Sequence, residues 1–211
     1  MVTKRPYSRI ATFYDLLDLP FEYGRYRPLR RMLFEGAEGT VLDAGVGTGR
    51  NMPFYPPKAE VVGIDLSSRM LEQAERRRSR HDARVALRQM DVTRTDFPDR
   101  HFDHVVATFL FCVLDDDLQL PALAELRRIL KPDGEIRLLE YTYSEDPLRR
   151  LVMRFWAPWV RLLYGATFDR RTERYVDDAG LVLVEDRFVV YDIIKLLVLR
   201  QRQKEDPTEE T

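Results

Sequence analysis

Three glycines at alternate positions and three acids, each set behind an apolar run, form the pattern in this chain best suited to holding a ligand. Val41-Leu42-Asp43-Ala44-Gly45-Val46-Gly47-Thr48-Gly49-Arg50 reads as a short buried strand that Asp43 closes, followed by a glycine-rich turn. Gly45, Gly47 and Gly49 let the backbone turn tightly and lie against a ligand with no Cβ in the way. A helix is expected to start near residues 49–51, with its free N–H groups and positive dipole end facing the same space. Val61-Val62-Gly63-Ile64-Asp65 is a second apolar strand ending in an acid, 22 positions after Asp43. A third, ending near Gln89-Met90-Asp91-Val92, brings Asp91 to the same edge. Acids at successive strand ends beside a glycine turn suit a nucleotide-like ligand at the carboxyl edge of a parallel sheet. There Asp65 would face a ribose and Asp91 an adenine.

Spacing narrows the ligand. A dinucleotide fingerprint needs Gly or Ala at its sixth position, where this chain has Arg50. That residue counts against a dehydrogenase, the alternative that a βαβ pattern alone would support. A P-loop is excluded, because no Gly-Lys-Ser/Thr follows.

In this order the motifs resemble the class I S-adenosylmethionine-dependent methyltransferases. The resemblance rests on residues 41–49, Val61 to Leu71, Asp91, Phe97 to Val106 and the Leu130-Lys-Pro-Asp-Gly134 run. Within that family the chain is similar to the branch of phospholipid N-methyltransferases and ubiquinone–menaquinone C-methyltransferases. Phe13-Tyr14-Asp15, Ala107-Thr108-Phe109, Leu138-Leu139-Glu140 and Phe168-Asp169-Arg170-Arg171-Thr172 carry this closer likeness. Two residues depart from the branch: Tyr141 stands where a His is common, and Asp169 where an Asn is common. The resemblance implies a Rossmann-like, seven-stranded, mostly parallel α/β sheet with helices on both faces, a reversed last strand and N-terminal lid helices. It implies S-adenosyl-L-methionine as cofactor, S-adenosyl-L-homocysteine as product, and no metal. The cofactor residues it implies are Asp43, Gly45, Gly47, Gly49, Asn51, Asp65, Leu66, Met70, Asp91, Val92 and Thr108. Tyr14, Glu140 and Tyr141 are the candidates to bind and deprotonate the methyl acceptor.

Length and composition fit this frame. A chain of 211 residues, 45% hydrophobic and 33% charged, is one globular domain with room for a real core. A net charge of −1 gives no global field for nucleic acid. The one cysteine, Cys112, lies in the apolar Phe109-Leu-Phe-Cys-Val113 run and reads as a buried structural thiol, in keeping with a reducing cytoplasm. No apolar run reaches the roughly 20 residues that cross a bilayer, and no leader is visible. His81, His101 and His104 have no partner at a metal spacing and read as structural or surface residues.

Three regions follow: N-terminal lid helices over 1–36, a methyltransferase domain over 37–200 and a polar tail over 201–211. In the first, a basic segment carries Tyr14, and Arg27 to Phe34 forms a second short helix with Pro28 early in it. Arg50 and Asn51 either bind the methionine carboxylate or cap and solvate a helix that Pro53, Pro56 and Pro57 keep short. Ser67 is the N-cap candidate of a helix running to about Ser79. Asp115-Asp116-Asp117 read as dipole compensation and capping of a helix over 118–130. Residues 131–134 read as a turn into a strand over 135–141. A helix is expected over 169–179, ending at Gly180, before a strand pair over 181–190 and 193–199.

Residues 148–164 combine Trp156 and Trp159 with Arg149, Arg150, Arg154 and Arg161, interrupted by Pro158. One reading is an amphipathic helix that covers the sheet. The other is a wall of the acceptor pocket that makes peripheral membrane contact through Trp156, Trp159, Arg150 and Arg154, at the inner membrane face. The leading expectation is N-methylation of a lipid amine such as phosphatidylethanolamine. The alternatives are ring C-methylation of a quinone precursor, a thiol or other small acceptor, or a non-catalytic S-adenosylmethionine-binding module.

Overall fold

The computed structural model describes residues 26–81, 83–164 and 167–202, with backbone alone at 81 and 162–164. The expected lid around Tyr14 and the tail beyond residue 202 lie outside the described residues. Seven strands form one sheet: β1 (Thr40–Ala44), β2 (Glu60–Asp65), β3 (Val85–Gln89), β4 (Phe102–Thr108), β5 (Leu130–Tyr141), β6 (Leu181–Val190) and β7 (Ile194–Gln201). Their order is β3-β2-β1-β4-β5-β7-β6. β1 to β5 pair in parallel, and β7 runs antiparallel between β5 and β6. The order reverses between β1 and β4, the place where open α/β sheets bind ligands outside their strand ends.

Strand periodicity builds two cores. Successive side chains on a strand point to opposite faces. Leu42, Val105 and Leu138 therefore pack on one side, with Leu123, Leu126 and Ile129 of α3 (Asp116–Ile129). Val41, Val106 and Leu139 pack on the other side, with Leu29 and Leu33 of α1 (Arg27–Leu33) and Ala74 of α2 (Ser68–His81). Each fully buried Leu or Ile contributes about 1.5–3 kcal/mol, so both faces are held mainly by apolar burial.

Several boundaries differ from the sequence reading. No α-helix follows the glycine turn; one 3-10 turn over Met52–Phe54 stands there, because Pro53 and the Pro56-Pro57 pair remove the donors a helix would need. The helix dipole expected at the turn is therefore absent. The 131–134 turn is instead part of β5, as an irregularity where the pairing jumps from Phe102–Leu130 to His104–Glu135. The helix expected over 169–179 is reduced to a 3-10 turn at Thr172–Tyr175. His81 ends α2 rather than sitting in a loop.

The fourth helix, α4 (Pro147–Tyr164), excludes one of the two readings given for it. Over residues 147–161 no side chain is buried, so α4 does not cover the sheet. Leu148, Leu151, Phe155, Trp156 and Trp159 are all exposed.

Gly134 lies where β5 bends against β4. A Cβ there would stand 2.8 Å from the Asp103 carbonyl oxygen and 2.7 Å from Leu130 Cδ1. Backbone cannot yield as a side-chain tip can. Gly134→Ala is expected to destabilise the fold by about 1–3 kcal/mol, read as a lower urea midpoint at unchanged slope.

Candidate active site

The glycine turn is tied to the second strand. Gly45 and Val46 donate their N–H groups to the Ile64 carbonyl, at 2.9 and 2.8 Å. Two glycines here are required for separate reasons. Gly45 has φ +72°, and a Cβ on it would strike Leu110 Cδ1 at 2.8 Å. Gly47 has φ +55°, and a Cβ on it would enter open space, meeting only the Gly45 oxygen at 3.9 Å. The turn thus presents bare backbone to a space that a ligand can fill. Gly49 completes it, and Arg77 of α2 holds it from behind by donating to the Thr48 carbonyl and hydroxyl, at 2.9 and 3.1 Å.

Beneath the turn lies a buried polar network. The Asp43 side chain is inaccessible to water. It accepts from the Tyr55 hydroxyl at 2.6 Å and from Asn51 Nδ2 at 3.0 Å on each oxygen. Asn51 also donates to Thr108 Oγ1 at 3.1 Å and accepts from Arg30 Nη1 at 2.9 Å. Burial pushes the Asp43 carboxyl up to about 6, against the Tyr55 and Asn51 bonds and the Arg30 charge that favour its ionised form. Both donors of the Asn51 amide are engaged below the turn, and its side chain caps no helix. Thr108 serves the same network, and Arg50 is buried beside Asn51.

The second strand end carries Asp65. Its Oδ2 accepts from Gly47 N at 2.9 Å and its Oδ1 from Ser67 N at 2.8 Å. Burial raises its carboxyl above the usual range, while those two N–H bonds act the other way. Each oxygen keeps a lone pair for a ribose hydroxyl. Leu66 beside it is 55% exposed, whereas Met70 is buried. Asp91 lies two residues beyond β3, where its Oδ1 accepts from Thr93 N and Thr93 Oγ1 at 2.9 and 2.7 Å. Val92 is buried in the core.

The ends of β4 and β5 form the other half. Phe109 follows Thr108 with φ +56°, a strained conformation for a bulky residue. Glu140 fixes the loop after it. Its Oε1 accepts from Phe111 N at 3.0 Å and its Oε2 from Cys112 N at 2.8 Å. Glu140 is buried and turned into this loop, with burial pushing its carboxyl up to about 8 against the pull of those N–H groups. Cys112 is buried, and its thiol is pushed up by the same burial. Phe109 stacks on Tyr141 at 4.4 Å between ring centroids. Tyr141 meets Phe168 edge-to-face at 5.7 Å, and its hydroxyl lies 2.5 Å from that of Tyr26. Sequence reasoning missed Tyr26, Arg30, Tyr55 and Phe168 as site residues, since no spacing rule links them to the glycine turn. Tyr14 lies outside the described residues.

A glycine turn, an acid at the next strand end and an acceptor edge across the switch point define a nucleotide-binding α/β enzyme. Residues 41–134 match the family model described as a methyltransferase domain. A phosphatidylethanolamine N-methyltransferase of Cereibacter sphaeroides is 34% identical over 187 residues, spanning 86% of this chain and 88% of that protein. A demethylmenaquinone methyltransferase of Thermotoga maritima is 31% identical over 198 residues, spanning 88% and 83%. The solved geranyl diphosphate C-methyltransferase of Streptomyces coelicolor A3(2), bound to S-adenosyl-L-homocysteine, shares the fold. Its TM-score is 0.67 at 16% identity, over 89% of this chain and 84% of that one. This chain belongs to the class I S-adenosylmethionine-dependent methyltransferases.

The residues present fit that cofactor. The turn leaves its backbone clear at Gly47, where an added Cβ would meet nothing closer than 3.9 Å, and the Asp65 carboxylate keeps lone pairs for a ribose diol. Asp65→Ala should weaken S-adenosylmethionine binding by roughly 10- to 100-fold in calorimetry, since it removes about 1.5–3 kcal/mol of charged hydrogen bonding. Unchanged affinity would remove the ribose assignment.

The buried Glu140 sets a pH dependence of stability. Its folded value of about 8 lies above the ordinary 4.5. Between those limits the folded state holds more protons than the unfolded chain. The contribution of this group to stability therefore falls as pH rises through the window, by up to about 1.4 kcal/mol per unit, and levels off above it. Glu140→Gln keeps an acceptor for only one of the two N–H groups, which lowers stability at pH 5. Its disadvantage relative to the unaltered protein should shrink towards pH 8. Urea titrations at pH 5, 6.5 and 8 check this; a constant difference would contradict it.

Proposed function

We propose that the protein N-methylates the amine of a phosphatidylethanolamine-type lipid at a membrane surface. The observation that carries this reading is the uncovered apolar face of α4, where Trp156 and Trp159 are 57% and 54% exposed, with Arg150 and Arg154 exposed on the same helix. The helix has no acidic residue along its length. Aromatic and aliphatic side chains rimmed by arginines suit an apolar boundary with anionic headgroups. No helix among the described residues is long and apolar enough to cross a membrane, so this contact would be peripheral. The similarity to the Cereibacter sphaeroides enzyme supports an amine acceptor.

Bound at the glycine turn, S-adenosylmethionine supplies an electrophilic sulfonium methyl. The protein's own work is alignment and exclusion of water, which can supply roughly 7–11 kcal/mol of the barrier. Asp65 orients the ribose. Asp43, through Asn51 and Tyr55, holds the turn in shape. Asp91 borders the adenine edge with the exposed Leu66. Glu140 acts on the acceptor side as a positioning residue, through the loop that presents Phe109. An ammonium with a pKa near 10 must lose its proton before it attacks, costing about 4 kcal/mol at pH 7. The ammonium gives its proton to water before it docks, and the Tyr141 hydroxyl, paired with that of Tyr26, then accepts from the neutral amine's N–H; Tyr14 is the further candidate from the N-terminal segment.

Ring C-methylation of a quinol precursor is the second reading, favoured by the similarity to quinone methyltransferases such as that of Thermotoga maritima. Transfer of labelled methyl to vesicles of phosphatidylethanolamine and phosphatidylglycerol, with a demethylated quinol in parallel, separates the two. Label is expected in N-methylated phosphatidylethanolamine. Label in the quinol alone would replace the first reading by the second.

A further inference from the structure

We propose that Arg150 binds the phosphodiester of the acceptor, so that the end of β5 and the first turn of α4 form a two-part headgroup site. This rests on the lipid-amine reading and deepens it, because a quinol offers nothing for such a group to hold.

The first turn of α4 is fastened in place. Asp192 Oδ2 accepts from Ser144 Oγ at 2.6 Å and from Glu145 N at 2.7 Å, while Asp146 Oδ1 accepts from Arg149 N at 2.8 Å. The two adjacent arginines on this turn differ in their surroundings. Arg149 donates to Asp192 Oδ1 at 2.5 Å and lies 5.2 Å from the Tyr191 ring, so its charge is matched. Arg150 is exposed, and among the described residues no carboxylate pairs with it. Its guanidinium stands 6.0 Å from the Tyr143 ring.

That ring continues the acceptor edge. Tyr143 lies 5.6 Å from Phe168, which lies 5.7 Å from Tyr141. Tyr143 N also donates to the Phe168 carbonyl at 3.0 Å, fixing the two segments together. A row of rings thus leads from the Tyr141 hydroxyl to an unmatched guanidinium. In an ethanolamine phosphodiester the nitrogen and phosphorus are separated by two carbons and an oxygen, about 4–5 Å with ordinary bond lengths. An amine over the Tyr141–Phe168 pair therefore leaves its phosphate beside Tyr143. The Arg150 guanidinium already stands over that ring, 6.0 Å from its centre. A planar guanidinium can hold two phosphate oxygens at once, which fixes the direction of the headgroup as well as its presence.

The test uses the full chain with dihexanoyl-phosphatidylethanolamine kept below its micelle concentration, so that no membrane surface contributes. Arg150→Ala is compared with Arg161→Ala, further along the same exposed helix with the same loss of charge. Arg150→Ala should raise KM for this lipid at least 10-fold, with kcat within about 3-fold and S-adenosylmethionine affinity unchanged. Arg161→Ala should leave KM within about 2-fold, and Arg150→Lys should recover part of the loss. For an ethanolamine amphiphile lacking the phosphate, Arg150→Ala should leave KM unchanged. Equal KM in the two alanine variants, whether raised or not, would overturn the assignment while leaving the lipid-amine reading intact. No methylation of either amine by the unaltered protein would remove that reading and the assignment with it.

Discussion

The Asp43 carboxylate, inaccessible to water at the end of β1, is the constraint on which the cofactor half of the molecule depends. A buried carboxylate is costly unless every oxygen is bonded. Tyr55 and Asn51 meet that requirement, and Arg30 fixes Asn51 from α1. These residues come from α1, the glycine turn and the segment after it, while Thr108 adds β4. Satisfying one acid therefore locks together the elements around the methyl-donor space. The turn gains its shape from below, with its upper backbone left clear for the ligand.

A second buried acid plays a matching part on the acceptor side. Glu140, at the end of β5, gathers the N–H groups of Phe111 and Cys112 and so sets the path of the chain after β4. That path holds Phe109 at positive φ, a conformation that persists only where its surroundings fix it. Phe109 stacks on Tyr141, and the ring row extends from there. The two acids flank the point where the strand order reverses. One holds the glycine turn and the other the loop after β4, on either side of that point.

Helix α4 follows a different rule. Its apolar residues find no partner among the strands, so they do not contribute to the cores that hold the sheet. An exposed face of this size, with arginines and no acids on the same helix, has the character of an interaction surface. Fastening its first turn to Asp192 gives the helix a defined start beside the acceptor edge.

Local pattern was enough to read β1, β2 and β4, because apolar runs ending in Asp43, Asp65 and Thr108 alternate between two buried faces and stop at polar turns. The glycine turn and Asp65 were legible for the same reason: their chemistry lies in residue type and short spacing. Pro53 and the Pro56-Pro57 pair marked a short element after the turn, and the structure reduces it to one 3-10 turn. The occupations of Asn51, Thr108 and Glu140 could not be read from sequence, since their partners lie on other strands and helices and no periodicity encodes them. The pairing of Tyr26 with Tyr141, 115 positions apart, is of the same kind. Sequence also left α4 balanced between covering the sheet and facing outward, because an amphipathic pattern states that an apolar face exists and not what it meets. Residue type and short spacing were enough for most of the sheet, the glycine turn and Asp65 at its strand end; which polar groups each acid satisfies and which apolar face stays uncovered depend on contacts between residues far apart in the chain.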